Sequence, residues 1–223
     1  MAALGSLLDL LVPAACAGCG RLSGILCRPC RDSFVPAGDP RDRFLAADRG
    51  IVIGQALTLA IAAFAYVGPM RNALQRLKYG GASRVAAPLA RAALPAAEHL
   101  LAVTDARVTL VPVPIHPSRL RQRGYNQARL LAGALGALSG LAVEERIVRS
   151  RETTRQHGLD RAARLRNLKE AFAPAPTTSR DPERPIVIID DILTTSATLE
   201  ACASVLRQAG STTVYGFAVA REI

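Results

Sequence analysis

The sequence predicts an α/β fold preceded by a small cysteine-rich unit, and three observations predict it. Beyond residue 45 the chain alternates between apolar extended runs and Ala/Leu-rich helical runs, the pattern of strands joined by helices. PIVIID carries four consecutive branched apolar residues, as expected of a strand covered on both faces. Cys16, Cys19, Cys27 and Cys30 crowd into fifteen residues, which sets the first segment apart. A chain of 223 residues has room for one well-buried domain and an appendage. The boundary falls in the polar stretch PAGDPRDRF, giving units 1–45 and 46–223.

In chain order, the opening run MAALGSLLDLLVPAAC is apolar but lacks a positive leader and carries Asp9; it reads as a short amphipathic helix rather than a secretion signal. LTLAIAAFAY reads as a strand. PMRNALQRLKYG reads as a helix, with Pro69 at its start and Gly80 beyond its end. SRVAAPLARAALPAAEHLLA reads as helix interrupted by prolines, RVTLVPVP as a buried strand, and NQARLLAGALGALSG as a helix ended by Gly140. IVRSRETTRQ begins as a strand and leaves the sheet as a basic loop. After PIVIID come a helix, TLEACASVLRQAG, and a closing strand, TVYGFAVA.

Half of the residues are apolar and 21% are charged, which excludes a disordered chain. No stretch reaches the roughly eighteen apolar residues that span a bilayer, so membrane insertion is not expected. The net charge is +10, and only Lys78 and Lys169 are lysines. Between Pro117 and Glu170 there are 12 basic and 5 acidic residues, a local net of +7. Arginine suits multidentate recognition of phosphate, and such a field gathers polyanions. A solvated basic surface is the competing reading.

Cys16, Cys19, Cys27 and Cys30 form two CxxC pairs. Each pair places two thiolates on one turn, and two turns complete a tetrahedral four-sulfur site. Clustered cysteines without a secretion signal point to structural zinc in a reducing, cytoplasmic setting rather than to disulfides. Such a closed site leaves no open position for chemistry, and it contributes roughly 10–16 kcal/mol to folding of a small motif. Cys202 differs. It shares a helix face with Leu199, Ala203 and Leu206, the pattern of a core stripe.

The sharpest signal is IVIIDDILTTSATLEACASVLRQAG. An apolar strand ends at Asp190 and Asp191, and Thr194, Thr195, Ser196, Ala197 and Thr198 lead into a helix. That arrangement offers backbone N–H groups and the positive helix end to an anion, at the sheet edge where open α/β folds bind ligands. Carboxylates beside a bare phosphate would repel it. They suit a ligand that also carries hydroxyls or Mg²⁺, and a sugar phosphate with a 2′,3′ diol meets that demand. A P-loop magnesium site competes, but GxxxxGK[ST] is absent from the chain. An ordinary N-cap also competes, although capping alone does not call for five small or hydroxyl residues after two acids.

This segment resembles the phosphoribosyl pyrophosphate signature of type I phosphoribosyltransferases. From the cysteines to the last strand the chain resembles the ComF family. The resemblance rests on CAGC and CRPC, AYVGPMRNALQRLKYGG, VPVPIHPSRLRQRGYNQA, TRQHGLDRAARLRNLKEAF and DDILTTSATL, in that order. It implies a mostly parallel sheet flanked by helices and a pocket for phosphoribosyl pyrophosphate or a related sugar phosphate. Asp190 and Asp191 would hold the ribose hydroxyls and a hydrated Mg²⁺, and Thr194 to Thr198 would clasp the 5′-phosphate. Arg119, Arg121 and Arg123 are placed like a pyrophosphate loop. Read as alternating along an extended loop, they can aim only one face at the ligand, and Arg123 is preferred. Arg155, Gln156 and Arg164 fall where those enzymes keep a mobile flap. Lys78 is a further anion contact or, alternatively, a helix C-terminal cation. The family loop usually has Gly where this chain has Ser196, a swap that suits phosphate contact if the backbone there avoids positive φ.

The implied reaction is displacement of pyrophosphate from C1 of the ribose by a nitrogen base. The family also implies a role in DNA uptake during competence. The rival reading is therefore a single-stranded-DNA-handling factor that uses the pocket to sense a nucleotide. Aromatic residues are only 4% of the chain, so stacking platforms for a strand are scarce.

Overall fold

The branched run Ile186 to Ile189 becomes the middle strand of a five-stranded parallel sheet. The computed structural model describes residues 14–38, 55–104, 107–150, 171–176 and 183–223. Within these the order is α1 (Arg28–Asp32), β1 (Leu59–Ala65), α2 (Gly68–Tyr79), a 3₁₀ turn (Ser83–Val85), α3 (Ala86–Thr104), β2 (Thr109–Pro112), α4 (Pro117–Arg123), α5 (Gln127–Ser139), β3 (Ala142–Val143), β4 (Ile147–Arg149), β5 (Phe172–Pro174), β6 (Ile186–Leu193), α6 (Ala197–Gln208) and β7 (Val214–Arg221). The sheet runs β1-β7-β6-β2-β3, with every pairing parallel. β4 and β5 form a separate antiparallel ribbon. This is the α/β class expected from the sequence, with its four-cysteine unit at the N-terminal end.

Alternation along β6 sends Val187 and Ile189 to one face, against Leu74, Leu89 and Leu131 of α2, α3 and α5. Ile186 and Ile188 go to the other face, against α6 and the ribbon residues Ile147 and Phe172. Burying each such side chain stabilises by about 1.5–3 kcal/mol. Cys202 is fully buried in this second core with Leu199, Ala203 and Leu206, as its spacing implies.

The structure departs from the sequence expectation at four places. The proline-containing helix α3 is continuous, with Pro95 inside it. A proline there costs about 3 kcal/mol, and burial of Leu89, Ala93 and Leu100 on the same helix offsets it. β4 does not leave the main sheet, because it belongs to the ribbon with β5. β6 continues through both aspartates to Leu193, where β7 still pairs with it. Residues 117–123 form the helix α4 rather than an extended loop. The expected N-terminal helix and the basic loop carrying Arg155, Gln156 and Arg164 lie outside the described residues.

Candidate functional site

Asp190 and Asp191 sit near the carboxyl end of the central strand and point to opposite faces. Asp191 is almost fully buried and has the Lys78 ammonium 2.9 Å from its Oδ2, with no other donor among the described residues hydrogen-bonded to that oxygen. On the other oxygen, Gln127 Nε2 stands 3.5 Å from Oδ1. Arg123 donates to Gln127 Oε1, and its guanidinium lies 5.5 Å from the centre of the Tyr79 ring. Tyr79 follows Lys78 in the chain. The contacts therefore close a circuit, Asp191–Lys78–Tyr79–Arg123–Gln127, joining the end of α2 to the start of α5 over the edge of β6. Tyr125 adds a further tie by donating to Leu77 O at 2.6 Å.

Each member is held by its own element. Lys78 lies in the last turn of α2, where a cation is favoured by the helix dipole. Asn126 caps α5, its Oδ1 accepting from Ala128 N at 2.9 Å while its Nδ2 donates to Val113 O at 2.9 Å. That cap fixes where Gln127 starts. Upstream, His116 Nδ1 accepts from Ser118 N at the head of α4, and Gly124 ends this helix in the left-handed region.

Burial disfavours the charged form of Lys78, but the Asp191 and Asp190 carboxylates outweigh it and raise the ammonium above its ordinary range. Burial, followed by the neighbouring Asp191 charge, pushes the half-buried Asp190 carboxyl well up, and Lys78 offsets only part of this. Asp190 Oδ1 accepts the Asp191 N–H at 2.8 Å. A net excess of carboxylate at one spot is a demand for a hydroxyl, a proton or a cation.

The β6–α6 turn lies beside this pair. Thr194 and Thr195 are exposed, and Ser196, Ala197 and Thr198 are half-buried, with Ala197 opening α6. No side chain caps the helix, so its first-turn N–H groups point toward the turn. Glu200, the acid of that first turn, is occupied elsewhere: it accepts from Ala56 N at 2.7 Å and Leu57 N at 3.2 Å. Ser196 has φ 57°, the one non-glycine residue with positive φ among those described. The condition set on the serine swap, a backbone that avoids positive φ, is therefore not met: this chain keeps the left-handed turn and places a serine in it. A non-glycine residue there costs on the order of 1 kcal/mol. Ser196→Gly should accordingly raise the urea unfolding midpoint by the equivalent of about 1 kcal/mol, less what glycine loses in chain entropy.

A cleft of about 570 Å³ opens at the carboxyl end of β2, lined by residues including Pro112, Tyr125, Asn126, Arg129 and Arg149. It adjoins the α4–α5 turn, and neither aspartate lines it.

The sulfur atoms of Cys16, Cys19, Cys27 and Cys30 all lie within 4.8 Å of one another. The pairs Cys16–Cys27 and Cys19–Cys27 are 3.5 and 3.8 Å apart. Four thiolates around one ion at about 2.3 Å would stand about 3.8 Å apart, so the set fits a tetrahedral metal. Burial works against a Cys16 thiolate, but N–H groups of Cys27, Cys19 and Gly18 prevail and bring it down to about 6. Burial and the surrounding sulfurs push Cys30 up. The knuckle seats on α2: Arg76 donates to Cys16 O at 2.7 Å and Asn72 to Gly18 O at 2.9 Å. A Cβ on Gly18 would lie 2.8 Å from Cys30 Sγ and 3.1 Å from Pro69 Cβ, so only glycine allows this approach. Phe34 packs on Phe64 with ring centres 5.2 Å apart, and Ala65 N donates to Val35 O at 2.8 Å.

No protein-family model matches the chain. It is 33% identical over 165 residues to competence protein F of Haemophilus influenzae, spanning 70% of this chain and 69% of that one. The chain belongs to the ComF family. It is also 31% identical over 218 residues to DNA utilization protein YhgH of Salmonella typhi, spanning 93% of this chain and 90% of that one. The protein of the same name from Escherichia coli K12 is 32% identical over 162 residues, 71% and 70% of the two chains.

Among the residues singled out in this ComF-family sequence, the structure brings Asp191, Lys78 and Arg123 into one circuit beside the turn from Thr194 to Thr198, with Asp190 next to Asp191 on the strand but pointing to the opposite face. Arg119 is exposed and sits one helical turn before Arg123 on the same face of α4. Arg121 is displaced round the helix, so the alternation assumed for an extended loop does not apply. The sequence reading did not single out Gln127, a buried polar residue, or Tyr79. Nothing in a helical stretch marks a glutamine as buried, whereas Tyr79 adjoins Lys78 in LKYGG.

Proposed function

We propose that this chain binds phosphoribosyl pyrophosphate at the β6–α6 turn and transfers the phosphoribosyl group to a nitrogenous base, releasing pyrophosphate. The observation that carries this reading is the convergence of Lys78, Gln127 and, through Gln127, Arg123 on Asp191, beside an uncapped helix start. The 5′-phosphate takes the N–H groups and hydroxyls of Thr194 to Thr198. The ribose diol takes Asp190 and Asp191, whose carboxylate oxygens accept from its hydroxyls. Arg123, with Arg119 one turn away, faces the leaving pyrophosphate, and Arg155 is assigned the same task.

In the reaction a nitrogen lone pair forms a bond to C1 as the C1–O bond breaks, and the pyrophosphate leaves with the bonding pair. The transition state carries positive charge at C1, as in glycosyl transfer generally. Asp190, pushed up by burial and then by the Asp191 charge, and its neighbour Asp191 are the hard carboxylate donors that would hold a hydrated Mg²⁺. Bound there, Mg²⁺ would neutralise charge on the departing pyrophosphate. Arginine donors aimed at that charge are each worth about 10²–10³ in rate. Pyrophosphate release on mixing the protein with phosphoribosyl pyrophosphate, Mg²⁺ and a panel of nitrogenous bases is expected with at least one base. Binding without release from any base would reject the transfer step.

The four cysteines are assigned to structural zinc, and the free thiols suit a reducing cytoplasm. Among the described residues no helix is long and apolar enough to cross a membrane. A second reading is favoured by the relatives' names, competence and DNA utilization: a factor that handles single-stranded DNA along the +7 segment and senses a nucleotide in the pocket. Affinity for a strand that falls steeply with salt supports it; no binding at moderate salt removes it.

A further inference from the structure

Aromatic side chains normally contribute 150–250 Å² each to buried surface, and this chain has few of them. The described phenylalanines and tyrosines are buried or half-buried with one exception. Tyr79 is 76% exposed, and it is the residue next to Lys78. The Lys78 ammonium is 2.9 Å from Asp191, so the exposed ring belongs to the residue next to the one that meets the acidic pair.

The mount is firm. Leu77 O accepts the Tyr125 hydroxyl at 2.6 Å, and Gly80 N donates to Arg76 O at 2.8 Å, closing the helix directly beneath the ring. Arg123 stands 5.5 Å from the ring centre and is held by Gln127, which itself reaches Asp191. An arginine–tyrosine contact made only for stability would cover the ring, and this one leaves three-quarters of the residue open. Among the described residues, apart from its chain neighbours, no heavy atom lies within 4 Å of where a Cβ on Gly81 would project.

We infer that Tyr79, flanked by Arg123, is a stacking seat for a planar nucleobase. This rests on the reading of Asp190, Asp191 and the β6–α6 turn as the sugar-phosphate site, and it assigns the neighbouring position to the base. The ring offers a flat face to any base, and the guanidinium offers donors to carbonyl oxygens and ring nitrogens at its edge. The base can belong to an acceptor or product nucleotide, or to a single strand.

The test compares ribose 5-phosphate, AMP, GMP and an unphosphorylated ten-residue thymidine oligomer, titrated into wild type, Tyr79→Leu and Tyr79→Phe. Tyr79 is exposed, so both variants should fold, and their melting temperatures check this. At least one nucleotide should bind wild type about tenfold more tightly than ribose 5-phosphate. Tyr79→Leu should abolish that advantage and Tyr79→Phe should keep it, each nucleotide being compared with ribose 5-phosphate on the same variant. A nucleotide advantage that is absent, or that survives Tyr79→Leu, overturns the assignment. If only the oligomer depends on Tyr79, the base seat stands and its source is a strand. If ribose 5-phosphate and phosphoribosyl pyrophosphate both fail to bind wild type, the sugar reading falls, and Tyr79 is judged by the oligomer alone.

Discussion

Asp190→Asn/Asp191→Asn should lose phosphoribosyl pyrophosphate binding by about 100-fold or more, and the two single variants should differ in stability. Two hydrogen bonds from ribose hydroxyls to carboxylates are worth about 1.5–3 kcal/mol each, and asparagine keeps the shape without the charge. At Asp191 the substitution also strands the Lys78 ammonium, which is three-quarters buried. Removing one member of a buried pair costs about 3–5 kcal/mol; with Lys78 partly open to water, about 1–3 kcal/mol is expected. That is a fall of roughly 2–12 °C in melting temperature for a chain of this size.

Asp190→Asn should act the other way. The Asp190 carboxyl is raised in the folded state, so the stability it contributes is fully present below the unfolded value near 3.9 and is lost as pH rises through the folded value. At neutral pH its charge is a burden, and Asp190→Asn should melt at a higher temperature than wild type. The difference should close as pH falls toward 4. Lys78 is also raised, so its contribution is present below about 10.5 and is lost above it. A differential melt across pH 4–8 reads the first effect directly. A destabilised Asp190→Asn at pH 7 would contradict the burial assigned to this carboxyl.

The second large effect concerns the knuckle. Cys16→Ser/Cys19→Ser should take bound zinc from one ion per chain to none, as read by metal analysis of the purified protein. Structural zinc in small motifs is worth roughly 10–16 kcal/mol, far more than the few buried side chains of residues 14–38 supply. Loss of metal should unseat the knuckle from α2, exposing the N–H groups that now pair with Val35 and Ala63 carbonyls. The melting temperature should fall, and chelation of the wild type should reproduce the fall. A wild-type protein that contains no zinc, or a variant that retains it, would overturn the assignment.

Much of this architecture was legible in the residues. The branched run at 186–189 announced a doubly covered strand, and the doubled CxxC spacing announced a four-sulfur site because no core packing requires it. Pro69 and Gly80 bracketed α2 correctly. Helix α4 was hidden for a physical reason: it buries no residue, so PSRLRQR carries no apolar stripe. Its signal lay in punctuation instead, with Pro117 in the first turn and Gly124 just past the end. The continuity of α3 through Pro95 depends on tertiary burial, which local sequence does not display. The circuit around Asp191 was out of reach for another reason. Lys78, Gln127 and Asp191 are brought together only by the parallel crossovers, and a buried glutamine looks the same in sequence as a solvated one.

The most direct test is calorimetric titration of phosphoribosyl pyrophosphate into wild type and Asp190→Asn/Asp191→Asn, with and without Mg²⁺. Binding to wild type that strengthens with Mg²⁺ and disappears in the variant is the expected result. Equal binding to both proteins, or none to wild type under either condition, would contradict the placement of the sugar phosphate at the end of β6.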